Sequence, residues 1–347
     1  MNQCNINLLD LPTEILLTIF KKLDNMDVLY SLFDVNNQRL DNIIQENIST
    51  NTLNFVLTTL TNDFLSISDP ILDRFCTNIL PKIHYNVKSL TLNSLSMERI
   101  LLVADYSNLC EIKIFNFNSK IASRYFTVQS PCRRLFQRQI TDLILVFENY
   151  FNEICKHYTT DNNLSDLKYF YLQYDCLTDT YNSQILPLLR RMSNIEVLNL
   201  HLTMDNQTTF IDEHEVLLEH EFFIRIVRSF PLLKILHVIN LMPQSPISNE
   251  LDSNDNELYS TIIKFPYLTT LNLQYAHRNY IEQFLNDKKT HLPHLTKLTV
   301  GYYELKTATR NFTNDRTRLN CMKVKQLNMS PKMSIHSEDF YAYFPSL

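Results

Sequence analysis

The sequence predicts an α/β chain: three short amino-terminal helices followed by a solenoid of strand–helix repeats with a parallel sheet. Three observations carry this. The spacing apolar-x-x-apolar-x-apolar recurs nine times between residues 87 and 329. Segments between many of these motifs carry apolar residues three and four apart, the mark of an amphipathic helix. Residues 11–44 hold three such apolar sets in close succession, with no strand pattern among them.

Composition bounds the function classes. The 347 residues are 45% hydrophobic and 20% charged, ordinary for a soluble globular chain, and long enough for two structural units. Gly301 is the one glycine. Phosphate-cradling loops of the P-loop or dinucleotide type need several, so nucleotide enzymes of those classes are excluded. Left-handed turns must then fall to the plentiful asparagines. A net charge of −5 argues against a nucleic-acid partner. Seven scattered cysteines without a Cys-x-x-Cys pair suit reduced thiols. Neither a signal peptide nor a membrane-length apolar run is visible, so no membrane partner and a cytoplasmic or nuclear location are expected.

In order along the chain, the first helix is LPTEILLTIFKKL, residues 11–23. Leu11, Ile15, Leu16, Ile19, Phe20 and Leu23 form its apolar set. Pro12 suits the first turn, and Glu14, Lys21 and Lys22 complement the helix ends. Asp27 is a candidate cap for a second helix carrying Leu29, Leu32 and Phe33. A third set follows in Val35, Leu40, Ile43 and Ile44. Residues 1–50 carry seven acidic side chains against three basic ones. So small a unit needs a partner or a neighbouring domain to bury enough surface.

The string Leu11-Pro12-x-Glu14-Ile15-Leu16, Ile19-Phe20, Leu23, Asp27-x-Leu29, Leu32, Val35 and Arg39 resembles an F-box. It departs from that family in having Leu40 where many members have Trp, and in one extra residue between Val35 and Arg39. The resemblance implies that the helices dock a SKP-type adaptor and, through it, a cullin. Adaptor contact would fall to Leu11, Pro12, Glu14, Ile15, Leu16, Ile19 and Phe20, with Leu29, Leu32 and Val35 completing the contact or holding the helices together.

Residues 51–86 are expected to form a packed helical linker, with helices over Asn54–Leu65 and Ile71–Ile83. The repeats occupy 87–347. Their motifs are Val87-Leu90-Leu92, Leu109-Ile112-Ile114, Ile140-Leu143-Leu145, Leu167-Phe170-Leu172 and Ile195-Leu198-Leu200. Leu233-Leu236-Val238, Leu268-Leu271-Leu273, Leu295-Leu298-Val300 and Val324-Leu327-Met329 follow. Central residues lie 22 to 38 positions apart. This is the core spacing of a leucine-rich repeat. Alternation within each motif suits a strand with one buried face. Returning helices are expected over Met97–Ser107, Glu148–His157, Ser183–Met192, Leu217–Phe230 and Tyr280–His291. Pro231, Pro266 and Pro293 each stand two residues before a motif, where they end a helix and pre-extend the chain. Phe344-Pro345 repeats that signature, so the array reads as stopping mid-repeat. The polar stretch Ser248–Glu257 reads as a solvated loop.

No catalytic or metal-binding constellation stands out along the sequence. Asp212 to Glu221 is dense in potential ligands, but His214 and His220 fall on different helix faces and Leu218 stands where a zinc-protease motif needs His. The Arg133, Arg134, Arg138 and Arg310, Arg316, Arg318 clusters read as solvated loops that could meet an acidic target. His157 lies two residues from Cys155, and both fall on an amphipathic helix. No nucleophile motif surrounds any cysteine, so no enzyme activity and no cofactor are expected. Solenoids bind on the concave face. Candidate target contacts are Lys168, Tyr169, Tyr171, Glu196, Asn199, His237, Thr269, Thr270 and Asn272. Resemblance and repeats together imply a substrate receptor of an SCF-type ubiquitin ligase. The alternative is a scaffold whose F-box engages no cullin complex.

Overall fold

The computed structural model describes residues 8–48, 50–59, 64–117, 125, 130–147, 166–174, 192–202, 220–241, 261–332 and 337–347. The chain divides into two compact units, Met1–Phe117 and Asn118–Leu347. The expected boundaries at residues 50 and 86 therefore do not mark separate bodies.

The first unit opens with α1 (Thr13–Phe20), α2 (Asn25–Leu32) and α3 (Gln38–Asn47). Pro12 precedes α1 with φ −55°, a value its ring imposes and that starts a helix well. The cap of α2 is Asp24 rather than Asp27: its carboxylate accepts from the Met26 N–H at 2.8 Å. Asn37 caps α3 in the same way through Leu40 N–H. Leu16, Phe20, Val28, Leu29, Phe33, Leu40, Ile43 and Ile44 are buried. These helices are tied to the rest of the unit by several side chains. Asn25 donates to the Thr52 carbonyl at 2.8 Å. Arg74 donates to the Tyr30 and Phe33 carbonyls at 2.8 and 2.9 Å, closing the end of α2, and Lys82 pairs with Asp34.

The expected helix over Asn54–Leu65 is absent among the described residues. In its place are β1 (Thr52–Asn54) and a hairpin of β2 (Val56–Thr58) and β3 (Phe64–Ser66). Thr52, Val56 and Thr58 are β-branched and favour extended backbone. More decisively, Leu53 pairs with Leu90 of β4 (Ser89–Asn93), so β1 is a repeat strand that the sequence reading missed. Thr50, Leu53 and Phe55 are all buried and keep the motif spacing, with Thr in the first apolar slot. Next to β4 lies β5 (Glu111–Phe117), Leu90 opposite Ile112. The hairpin is pinned by Phe64, whose ring meets Phe115 at 4.1 Å and whose carbonyl accepts from Asn93 and Asn116.

The second expected linker helix forms as α4 (Asp69–Arg74), a π turn Phe75–Ile79 and α5 (Leu80–Ile83). Residues 51–86 are thus a first repeat plus a hairpin and helix, not a helical linker. The helix expected over Met97–Ser107 is the shorter α6 (Met97–Leu101). Tyr106 folds back, buried, and donates its hydroxyl to the Ile100 carbonyl at 2.7 Å.

The second unit begins, among described elements, with α7 (Arg133–Arg138). Its parallel sheet comprises β6 (Asp142–Phe147), β7 (Tyr169–Tyr174), β8 (Val197–Leu202), β9 (Ile235–Ile239), β11 (Thr270–Leu273), β13 (Lys297–Gly301) and β14 (Gln326–Ser330), adjacent in that order. Leu143, Phe170, Leu198, Leu236, Leu271, Leu298 and Leu327 stand in register across it. All nine motifs read from the sequence are therefore parallel strands. Their apolar positions are buried except on β14, the outermost strand, where Leu327 and Met329 are only half-covered.

A separate parallel pair joins β10 (Ile263–Lys264) to β12 (Thr290–His291). The further helices among the described residues are α8 (His220–Ser229), α9 (Arg278–Leu285), α10 (Tyr302–Ala308), α11 (Asp315–Cys321) and α12 (Glu338–Tyr343). Of the segment expected helical over Tyr280–His291, the helix starts earlier and stops at Leu285. Asn286 leaves the helical region and accepts from Lys288 N–H, which turns the chain into β12. Phe223 on α8 packs edge-on against Phe284 on α9, with centroids 4.8 Å apart. Asparagines Asn36, Asn116 and Asn311 occupy left-handed backbone with φ between 53° and 59°, Asp34, Arg310 and Phe312 do so with φ of 57°, 51° and 65°, and Gly301 does not. The helices expected at Glu148–His157 and Ser183–Met192, the Ser248–Glu257 loop, His157 with Cys155 and most of the Asp212–Glu221 cluster lie outside the described residues, apart from Met192.

Candidate interaction surfaces

Two surfaces collect the residues singled out in the sequence, one in each unit. The first is the outward stripe of α1. Helical periodicity separates its apolar residues into two sets four apart. Leu16 and Phe20 turn inward and are 0% and 1% exposed. Ile15 remains 48% exposed, Pro12 and Glu14 are exposed, and Leu11 and Ile19 are half-buried. Leu16 and Phe20 are thus corrected from adaptor contacts to core, because burying them is what holds three short helices together. Leu29 is core as well, while Leu32 is half-buried and Val35 exposed. Arg39 fixes the start of the stripe: its guanidinium donates to the Leu11 carbonyl at 2.7 Å and to the Thr13 hydroxyl at 3.3 Å.

The second surface is the solvent side of the β6–β14 sheet. Register places Tyr171, Asn199, His237 and Asn272 in one row across four neighbouring strands. A second row contains Tyr169, Val197, Ile235, Thr270 and Lys297. Thr141, Lys168, Glu196, Lys234, Thr269, Thr296 and Lys325 form a line before the strands. Each after Thr141 donates its N–H to the carbonyl of the one before it.

Within these rows the side chains are organised. Asn199 donates to the Tyr169 hydroxyl at 2.6 Å, and the Tyr171 hydroxyl lies 3.0 Å from Nδ1 of His201. Asn199 is itself buried beneath this cluster, so its part in any contact is to hold Tyr169 rather than to touch a partner. Lys234 pairs with Glu196 at 2.8 Å, and this bond, followed by the nearby Lys168 charge, keeps the Glu196 carboxyl below its ordinary value. Thr269 donates to the Lys234 carbonyl, and Asn272 accepts from the Gln274 N–H. Burial, then the positive charge of Lys297, holds the His237 imidazole below its ordinary value. The sequence reading overlooked Lys297, Lys325, His201 and Ile235 here. Their signal was available, since each occupies a motif position between or beside buried residues.

Among the described residues no three His, Cys, Asp or Glu side chains gather at metal-ligand spacing. Among them, too, no helix is long and apolar enough to cross a membrane.

No family model matches the chain, and no curated protein does. Among solved structures it is similar to the leucine-rich repeat-containing protein LegL7 from Legionella pneumophila. That likeness has 11% identity and a TM-score of 0.32, over 85% of this chain and all of the other. The leucine-rich-repeat character of the chain rests on its own strand ladder.

Proposed function

We propose that this chain is the substrate receptor of a cullin–RING ubiquitin ligase, its three helices docking a SKP-type adaptor and its sheet face holding a target protein. The observation that carries this reading is the outward stripe of α1. Pro12, Ile15 and Ile19 remain at least partly uncovered on a helix whose opposite side is already committed to the core. Covering such a stripe is favourable by roughly 25 cal/mol for each Å² of apolar surface. In this role the chain carries no reacting group; it raises the effective concentration of target beside an activated ubiquitin.

The test is co-expression with a SKP-type adaptor and gel filtration. We expect a one-to-one complex that Ile15→Asp/Ile19→Asp abolishes while the circular-dichroism melt of the chain is unchanged. A folded wild-type chain that captures no adaptor removes this reading. Adaptor capture without any cullin in the complex would support the scaffold alternative.

A further inference from the structure

The sheet face of the second unit has an uneven charge. Its two carboxylates among the described strand and strand-approach positions, Asp142 and Glu196, both lie on the β6–β8 side, and Glu196 is engaged by Lys234. From β9 through β14 those positions include Lys234, Lys297 and Lys325 and no acidic residue, in a chain whose net charge is −5. Lys297 stands on β13 and Lys325 at the approach to β14, on adjacent strands about 4.8 Å apart. Neither forms an ion pair among the described residues. Around them the face offers hydrogen-bonding groups on Thr270, Asn272 and Asn328, and apolar contact on Ile235.

We propose that this β9–β14 face takes an acidic polypeptide segment, its carboxylates set against Lys297 and Lys325. The occupant follows from charge complementarity: positive groups without local counter-charges attract and orient an acidic partner. A nucleic acid fits less well. No arginine lies on these strands, and the acidic side chains at β6 and β8 would repel a continuous phosphate backbone. Within the fold, burial and, after it, the charge of Lys297 disfavour a proton on His237. The inference rests on reading the sheet face as the partner surface, and it does not depend on the adaptor.

The experiment uses the full chain and a fluorescein-labelled peptide of alternating glutamate and serine, read by fluorescence anisotropy at low salt. We expect saturable binding that weakens with added salt, because screening acts over about 8 Å at physiological ionic strength. Lys297→Glu/Lys325→Glu should weaken it at least tenfold, whereas Lys264→Glu/Lys288→Glu, outside this sheet, should not. Three results would overturn the proposal: no wild-type binding, an equal loss in the second variant, or tighter binding of a single-stranded oligonucleotide through the same lysines. Adaptor capture is measured on the same preparations. Capture without peptide binding removes this inference and leaves the adaptor reading standing, and the reverse result removes only the adaptor reading.

Discussion

Asn320 shows how one side chain can hold several turns of the second unit. Its amide donates to the carbonyls of Phe284, Leu285 and Thr290 at 3.2, 3.1 and 2.7 Å, and its oxygen accepts from the Leu292 N–H at 3.2 Å. The site is buried, so nothing from solvent replaces those bonds. A buried polar group left unpaired costs about 1–3 kcal/mol. We expect Asn320→Leu to lower stability by about 3 kcal/mol in urea unfolding, with the loss confined to the transition of this unit. His237 acts at the same scale. Its folded-state value lies below the ordinary 6.5, so the unfolded chain binds the proton more readily. Its contribution is fully present above that value and is lost as pH falls through the window beneath it. His237→Gln should flatten the decline in stability below pH 6.5, read from urea midpoints; an unchanged slope would assign the decline elsewhere, including His277, which is shifted the same way.

Strands differ according to how many neighbours cover them. Leu298 on β13 is fully buried between β11 and β14, whereas Leu327 occupies the equivalent position on outermost β14 and is half-covered. The same truncation should therefore cost different amounts: about 3 kcal/mol for Leu298→Ala and about 1 kcal/mol for Leu327→Ala, compared by chemical denaturation. Equal values would mean that Leu327 is buried in solution. At the scale of elements the strands were the most legible part of the sequence. A motif of two spacings, repeated nine times, leaves few other structures that could bury those residues together. β1 escaped because Thr50 replaces the first apolar residue and a local helical spacing competed with it. The choice was made by pairing with β4, an interaction 37 residues away (Leu53 with Leu90) that local periodicity does not contain. Helix lengths were misjudged for another reason: Asn286 and Tyr106 end or bend their segments through short-range bonds, with Lys288 and Ile100, that apolar spacing does not record.

Each compact unit is the level at which the helices acquire their meaning. The three amino-terminal helices do not stand by themselves, since Asn25, Arg74 and the Asp34–Lys82 pair knit them to the first repeat and its helices. Arg74→Ala would free two carbonyls at the end of α2 and lose its stacking on Tyr30. We expect it to raise the rate of tryptic cleavage at Lys21, Lys22 and Arg39 severalfold, since local opening governs proteolysis when reclosing is fast. An unchanged cleavage rate would show that the helices are held chiefly by their own core.

By itself the sequence determined the repeat, the parallel strand order within it and the three-helix start, because each is a matter of spacing along the chain. It also named the strands on which the candidate rows lie. Only the tertiary structure decided which apolar residues of α1 face in and which face out, that Asn199 is buried with its amide on the Tyr169 hydroxyl, and that Lys297 and Lys325 come from separate repeats to adjacent strands whose described positions hold no carboxylate. Those outcomes depend on what lies opposite a side chain once distant segments meet, and spacing along the chain carries no record of that.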